Sequence, residues 1–379
     1  MANRVNAVSS ASGVSRNAVD SHLYPRLWID LDNSPHVPLF APIIGHLRER
    51  GWKIAITARD FAQTLDLVEQ YRLDAMPVGA HAGRSKLKKV MNLPVRGIQL
   101  LAAVRDFRPE IALSHGSRTQ AIASRMLGIP QIVMFDYEWT EMHILKRFAT
   151  HLVCPRAITG ERLQEAGIPL GKVAWYSGFK EEIYLAGFRS DPGFRTSIGV
   201  GADDPLITIR PPGLIGNYHD ERSEAICRRA IAVAAGNPRN HLVILPKTRL
   251  EREFVASAIP PDSPARVIVP ERALPGLQLL YHSNLAISGG GTMNRESALL
   301  GVPTYSIFTG RRAAVDEELE RMGRLVFLTA PAQVESIEWS HTLSNRDISR
   351  RDTLYEISGL IDNLAASHKS PNLIPSGRF

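Results

Sequence analysis

The sequence predicts an α/β protein made of two doubly wound domains that face each other across a cleft. Three observations lead there. At 379 residues the chain is too long for one ordinary domain, since domains run to roughly 100–200 residues. Short, near-continuous apolar runs rich in β-branched residues alternate with stretches of helical periodicity, the pattern of a parallel sheet covered on both faces. That alternation also stops and restarts once, across the Gly/Pro/Asp-rich segment FRSDPGFRTSIGVGADDP (188–205).

The elements follow in order. LWIDL (27–31) reads as a buried strand, and FAPIIGHLRER (40–50) as a helix stopped by Gly51, a residue suited to a left-handed C-cap. KIAITA (53–58) is the next strand and FAQTLDLVEQY (61–71) the next helix. A strand near 75–78, a basic loop and a long helix around 87–107 come after it. IALSH (111–115), a helix over 119–127 and QIVMFD (131–136) continue the pattern. The rhythm restarts with PLITIR (205–210), HLVILP (241–246), RVIVP (266–270), NLAISGGG (284–291), PTYSIF (303–308) and RLVFL (324–328). The expected organisation is a disordered tail over 1–25, a first domain over 26–187, a connector with room for a short helix over 188–205, a second domain over 206–350, and a C-terminal helix and tail over 351–379. In open parallel sheets ligands bind beyond the carboxyl ends of the strands, so the loops after strands are where chemistry is expected.

Composition narrows the function classes. With 44% apolar and 22% charged residues the chain is neither disordered, collagen-like nor a coiled coil. Its two cysteines, Cys154 and Cys227, lie far apart and outside any CxxC pattern. No disulfide framework or structural zinc is expected, and a reducing, cytoplasmic setting fits. The first 25 residues hold no apolar signal core, and no run reaches the ~18–20 apolar residues of a membrane helix. The net charge of +7 suits an anionic ligand or peripheral attachment to an anionic membrane on its cytoplasmic face. Nucleic acid is not an expected partner, because no helix-turn-helix, zinc-finger or aromatic RNA-binding pattern occurs. P-loop, GxGxxG, HExxH and GxSxG signatures are missing, and no cofactor is expected.

Four segments carry candidate chemistry. In ISGGGTMNRESALLGVP (287–303) a strand ends in Ser288, Gly289, Gly290 and Gly291 follow, and a helix starts near Thr292. Glycines let backbone approach a ligand, and a helix N-terminus offers free N–H groups and a positive dipole, so this is an anion site suited to a diphosphate. Glu296, one turn into the helix, can accept hydrogen bonds from two vicinal ribose hydroxyls; the plain alternative is a glycine-rich turn with a helix charge. In DNSPHVPLFAPIIGHLRERGWKI (32–54), His36 in a strand-to-helix loop can act as general base on an acceptor hydroxyl or donate to a phosphate, beside Asp32 and Asn33. ALSHGSRTQAIASRMLGIPQIVMFDYEWT (112–140) places His115, Ser117, Asp136 and Glu138 after consecutive strands. Arg210 and Lys247 put cations after the first two strands of the second half, where they can meet phosphate; the 310–312 loop is similar. The basic run over 84–89 reads as a solvated face, with approach to anionic lipid as the alternative. Asp30-Leu31-Asp32 has the form of a divalent-metal pair, but it closes the first strand. Asp30 is therefore read as structural, Asp32 as a cleft residue, and no metal is expected.

The order Ser-Gly-Gly, a helix bearing Glu, then Gly-x-Pro over 287–303 resembles the nucleotide-binding element of GT-B enzymes, among them the non-hydrolysing UDP-N-acetylglucosamine 2-epimerases and the lipid-II-forming N-acetylglucosaminyltransferase. The resemblance implies a GT-B-like pair of Rossmann-type domains, a diphosphate on the 289–291 loop and a ribose on Glu296. The 32–54 segment is similar to the N-terminal element of that transferase, with His36 at the histidine position and Ser34-Pro35 where glycines stand. The 112–140 segment is similar to the epimerase stretch containing His-Gly-Asp. His115-Gly116 match, Ser117 stands at a catalytic aspartate, and Asp136 falls at a later carboxylate with Glu138 two residues on. Over about 26–330 the chain most resembles a domain family of unknown function, numbered 354, through its Pro35-His36, Ser-His-Gly (114–116) and Ser-Gly-Gly-Gly-Thr-Met (288–293). That resemblance implies a nucleotide sugar, of UDP type, and an unknown acceptor as partners. The expected activity is a metal-independent hexosyltransferase with the donor in the second half, and with His36 as base, or Asp136 if His36 only orients. The alternatives are a UDP-sugar 2-epimerase-like enzyme, in which carboxylates do the proton work, and a nucleotide-sugar-binding protein without catalysis.

Overall fold

The computed structural model describes residues 26–61, 63–80, 86–214, 220–339, 346–349 and 352–369. The terminal tails and part of the basic run lie outside them. Among the described residues thirteen strands alternate with helices. In the first half these are β1 (Arg26–Leu31), β2 (Lys53–Asp60), β3 (Ala75–Ala80), β4 (Ile111–His115), β5 (Gln131–Met134), β6 (His151–Pro155) and β7 (Val173–Tyr176). In the second half they are β8 (Leu206–Arg210), β9 (His241–Ile244), β10 (Arg266–Ile268), β11 (Leu285–Ser288), β12 (Thr304–Ser306) and β13 (Val326–Phe327). They form a seven-stranded sheet in the order β3-β2-β1-β4-β5-β6-β7 and a six-stranded sheet in the order β10-β9-β8-β11-β12-β13. Every pairing described is parallel. In each sheet the strand order reverses next to the first strand of its half. The residues after β1 and β4, and those after β8 and β11, therefore flank the two switch points where ligands enter such folds.

Strands β6 and β7 were not separable by periodicity. They run five and four residues, β7 is only half-buried along most of its length, and the helices preceding and joining them, His143–Phe148 and Gly160–Glu165, are too short for a helical period to register. The first helix starts at His36 rather than 40. Pro38 sits in its first turn, where the missing N–H has no partner to lose, and only Pro42 interrupts the backbone ladder.

Apolar residues at Leu39, Phe40, Ile43, Ile44 and Leu47 bury one face of that helix against β1, β2 and the C-terminal helix Thr353–Lys369, which contributes Ile357, Ile361 and Ala365. The chain thus returns to its first half after completing the second sheet. Buried Glu182 fixes the return, accepting from Phe179 N (2.9 Å), Ser349 Oγ (2.5 Å) and Thr353 Oγ1 (3.0 Å). Between the halves, Phe179, Tyr184, Leu185 and Phe188 share one apolar cluster with Leu280, Met293, Ala298 and Leu299. The connector carries a short helix, Phe194–Ser197; buried Arg195 braces the connector on itself through the carbonyl of Gly201 (3.1 Å from Nε) and ties it to the second half through that of His282 (2.7 Å). Among the described residues, no helix is long and apolar enough to cross a membrane.

Candidate functional site

The three glycines after β11 do different jobs. A Cβ on Gly289 would lie 2.6 Å from Pro212 Cα, so this glycine lets the loops after β8 and β11 touch backbone to backbone. Its N–H donates to Arg210 O (3.2 Å), and Gly290 N–H donates to buried Ser288 Oγ (3.3 Å). Gly290 and Gly291 have φ of +107° and +76°, conformations that disfavour a side chain. A Cβ on Gly291 would meet nothing within 4 Å. Open space therefore lies before the helix Thr292–Leu299, whose N-terminus has no side-chain cap. The anion cradle is the Gly291–Thr292 end; Ser288 and Gly289 brace it from behind.

Glu296 follows one turn in and is half-buried. It accepts a hydrogen bond from Tyr184 Oη at 2.8 Å. Burial, with Glu181 adding to it, pushes its carboxyl up to about 7, against the hydrogen bond from Tyr184 and the charges of Lys180 and Arg210. Arg210, at the end of β8, is pulled down by burial while Glu251 and Glu296 hold it charged. Lys247 is exposed beyond β9, and its backbone N–H donates to Glu251 Oε2 at 2.6 Å.

The first half supplies a second group of side chains. The His36 backbone N–H donates to Asn33 O (3.0 Å), which opens the helix. The His36 ring centroid lies 5.1 Å from that of His115. Its buried Nδ1 has no hydrogen-bond partner among the described residues. Burial, then the neighbouring His115 and Lys180, hold its pKa well below 6.5 against the opposing pull of Asp136. The ring is therefore neutral at neutral pH. Asp136 is the reverse case. Burial alone would raise it, but Lys180 and Arg295, both in direct contact, and His115 Nε2 at 3.4 Å hold it well below the carboxylate range. Lys180 also reaches Glu181 (2.5 Å), and Arg295 reaches Asp316 (2.6 Å).

Lys180 and Arg295 are the site residues that sequence reasoning missed. Lys180 follows β7 directly, so the rule of reading loops after strands would have found it had that strand been seen. Arg295 adjoins Glu296 on a helix already singled out, but points from another face toward Asp136 of the first half.

Other expected site residues lie elsewhere. Ser117 is fully buried, caps the helix Arg118–Leu127 by accepting from Gln120 N, and donates to Asp30 Oδ2 at 2.6 Å. Its hydroxyl is turned to Asp30 and the core, so it does not take the substrate-binding role expected of it. Glu138 is also buried; it pairs with Arg162 (2.5 Å) and accepts from Ala314 N (3.0 Å), and so joins the halves instead of offering a proton-transfer group to the cleft. Asp30 has the structural role expected of it. Arg96 binds it with Nη2 at 2.8 Å and Nη1 at 3.0 Å, and Thr57 donates at 2.7 Å. Those contacts occupy both oxygens, which leaves Asp30 and Asp32 unsuited to act as a metal pair. Asp32 lies 3.2 Å from Arg59 and 3.4 Å from Arg96, and its carboxyl is raised, first by burial and then by Asp30. Asn33 is exposed and accepts from Ser34 N at 2.9 Å. No group of three or more His, Cys, Asp or Glu among the described residues is placed to hold a metal ion.

Comparison with solved structures shows the fold to be GT-B-like. The UDP-GlcNAc 2-epimerase of Neisseria meningitidis, bound to UDP-GlcNAc, aligns with a TM-score of 0.69 at 16% identity, covering 90% of this chain and all of the other. The UDP-GlcNAc 2-epimerase of Methanocaldococcus jannaschii aligns with a TM-score of 0.63 at 14% identity, covering 89% of this chain and 99% of the other. Identities this low establish shared architecture alone. A curated relative, an uncharacterized protein of Methanocaldococcus jannaschii, is 27% identical over 310 residues, covering 79% of this chain and 86% of its own length. The family model described as Protein of unknown function (DUF354) matches residues 26–363, and the chain belongs to that family.

Proposed function

We propose that this protein is a nucleotide-sugar-dependent glycosyltransferase of GT-B type, with a UDP-type donor held by the second half and an acceptor hydroxyl presented to the first. The observation that carries the reading is the contrast between two groups of the first half. His36 is neutral at neutral pH, and its Nδ1 has no partner among the described residues. Its pKa is lowered, as that of Asp136 is, but from the higher value of an imidazole, which leaves it the better proton acceptor of the two. Asp136 is a fixed anion pinned by Lys180 and Arg295. Transfer to a hydroxyl needs one base of the first kind. Epimerisation at C2, through elimination and re-addition of the nucleotide, needs carboxylates able to exchange protons. Here Ser117 stands in place of one carboxylate, and Asp136 is held ionised.

In the proposed complex the donor diphosphate lies at the Gly291–Thr292 helix end, with Arg210 and Lys247 as counter-cations, and the ribose diol donates to Glu296. One of the fold relatives is an epimerase bound to UDP-GlcNAc, which supports a nucleotide sugar as the ligand class. At 100-fold over Kd a nucleoside diphosphate should stabilise the protein by roughly 2.7 kcal/mol. The test is a thermal-shift screen of UDP, GDP, CDP and dTDP and their sugars; no shift with any of them overturns the donor site.

Two further results are expected. EDTA should leave UDP binding unchanged, because the helix end and the cations meet the diphosphate charge; full dependence on Mg²⁺ would bring Asp30 and Asp32 back as ligands. UDP affinity should also fall as pH drops below 7, since only ionised Glu296 can accept both ribose hydrogen bonds. Titration calorimetry on Glu296→Gln should show weaker binding with that pH limb reduced to what UDP's own phosphate contributes. The sign for stability is opposite. A carboxyl raised from 4.5 to about 7 by folding favours the folded protein when protonated, and that contribution is lost as pH rises through 7. Ligand-free Glu296→Gln should therefore be more stable than wild type at pH 8, by about 1–2 kcal/mol after allowing for partial exposure.

A further inference from the structure

Tyr184 and Glu296 belong to opposite halves of the chain. Tyr184 lies in the short helix Glu182–Leu185, which closes the first half, and is buried, 8% exposed, in the apolar seam with Met293 and Ala298. Its hydroxyl donates to Glu296 Oε1 at 2.8 Å. A phenol O–H on a carboxylate uses the donor chemistry of a ribose hydroxyl. An ionised carboxylate has about four acceptor sites, but Glu296 is half-buried, and Tyr184 already fills one of them on Oε1.

We propose that Tyr184 occupies a ribose-hydroxyl position on Glu296 in the ligand-free protein, so that a ribonucleotide must displace it and thereby breaks a hydrogen bond between the two halves. The inference rests on the reading of Glu296 as the ribose acceptor. It makes Tyr184 a competitor of the nucleotide, and it couples domain movement to the ribose rather than to the diphosphate. The groups whose charges act on Glu296 are Lys180 and Glu181 from the first half and Arg210 from β8; its own charge also reaches Tyr71 of the first half. Burial and the charge of Glu296 push the Tyr184 phenol well above its ordinary value, so it stays a donor across the working pH range. Inorganic diphosphate, which lacks a diol, leaves the contact in place.

The test is calorimetric titration of wild type and Tyr184→Phe with UDP and with inorganic diphosphate, joined to hydrogen exchange over residues 182–185. The phenylalanine removes the competing donor and keeps the ring in the seam. UDP should bind the variant about ten- to a hundredfold more tightly, the size of one hydrogen bond to a charged group that no longer has to be broken, and diphosphate equally to both proteins. Exchange at 182–185 should be faster in UDP-saturated wild type and in ligand-free Tyr184→Phe than in ligand-free wild type. Wild-type binding of UDP with no gain, or a loss, in Tyr184→Phe overturns the competition and leaves the ribose reading of Glu296 standing. Failure of wild type to bind either UDP or GDP overturns both.

Discussion

His36→Ala is expected to cut turnover by about 10²–10⁴-fold, the usual contribution of a general base, with UDP affinity unchanged. His36 lies in the first half, and the proposed donor contacts come from the second, so the loss should fall on kcat rather than on nucleotide binding. Asp136→Asn should do less. It removes a negative charge that supports protonation of His36 and weakens the hold on Lys180 and Arg295, but takes away no proton acceptor. The acid limb of the wild-type rate profile should lie well below pH 6.5, and Asp136→Asn should move it lower still. Stability follows the same group. Because folding depresses the His36 pKa, the unfolded chain binds more protons, and stability present above pH 6.5 is lost as pH falls below it. If Asn at 136 abolishes turnover while Ala at 36 leaves it intact, the proton acceptor has been misassigned.

The second large effect is on stability and comes from Asp30. Its side chain is fully buried, and Arg96 beside it is 1% exposed. Asp30↔Thr57 and Asp30↔Ser114 are register partners on the two neighbouring strands, so the pair sits at the centre of the first sheet. Asp30→Asn keeps the shape and leaves the guanidinium without its main counter-ion. Breaking a buried pair in this way costs about 3–5 kcal/mol; Asp32, 3.4 Å from Arg96, should hold the loss near the lower figure. Asp30→Asn combined with Arg96→Met should recover much of it, because two neutral side chains no longer strand a charge. Asp32→Asn should cost under about 1 kcal/mol, being partly solvated. Chemical denaturation checks all three. A change of less than about 0.5 kcal/mol for Asp30→Asn, the range of surface substitutions, would contradict this role.

The parallel-sheet architecture was legible because β1, β2, β4, β8 and β11 are largely buried and carry near-continuous apolar runs. β6 and β7 were not, because β7 is only half-buried along most of its length and the six-residue helices around the two strands are too short for a helical period to set them off. The glycine loop, Glu296, His36 and Asp136 were legible as residues that follow strands. What those side chains bond to was not, since it depends on contacts between distant segments. Ser117 turns to Asp30, 87 positions away, Glu138 turns to Arg162 and Ala314, and Arg295 crosses 159 positions to Asp136. Spacing in the sequence places a residue at a strand end but does not say which of its neighbours will neutralise it.

The reaction class is tested most directly by incubating the purified protein with UDP-sugars in the absence of any acceptor and following the sugar nucleotide by proton NMR. A transferase whose base waits for an acceptor hydroxyl should leave the C2 configuration untouched and release UDP only slowly, by hydrolysis. His36→Ala should reduce even that slow release. Accumulation of the 2-epimer to a constant ratio, with no loss of UDP-sugar, would contradict the transferase reading and assign the proton chemistry to the carboxylates around Asp136.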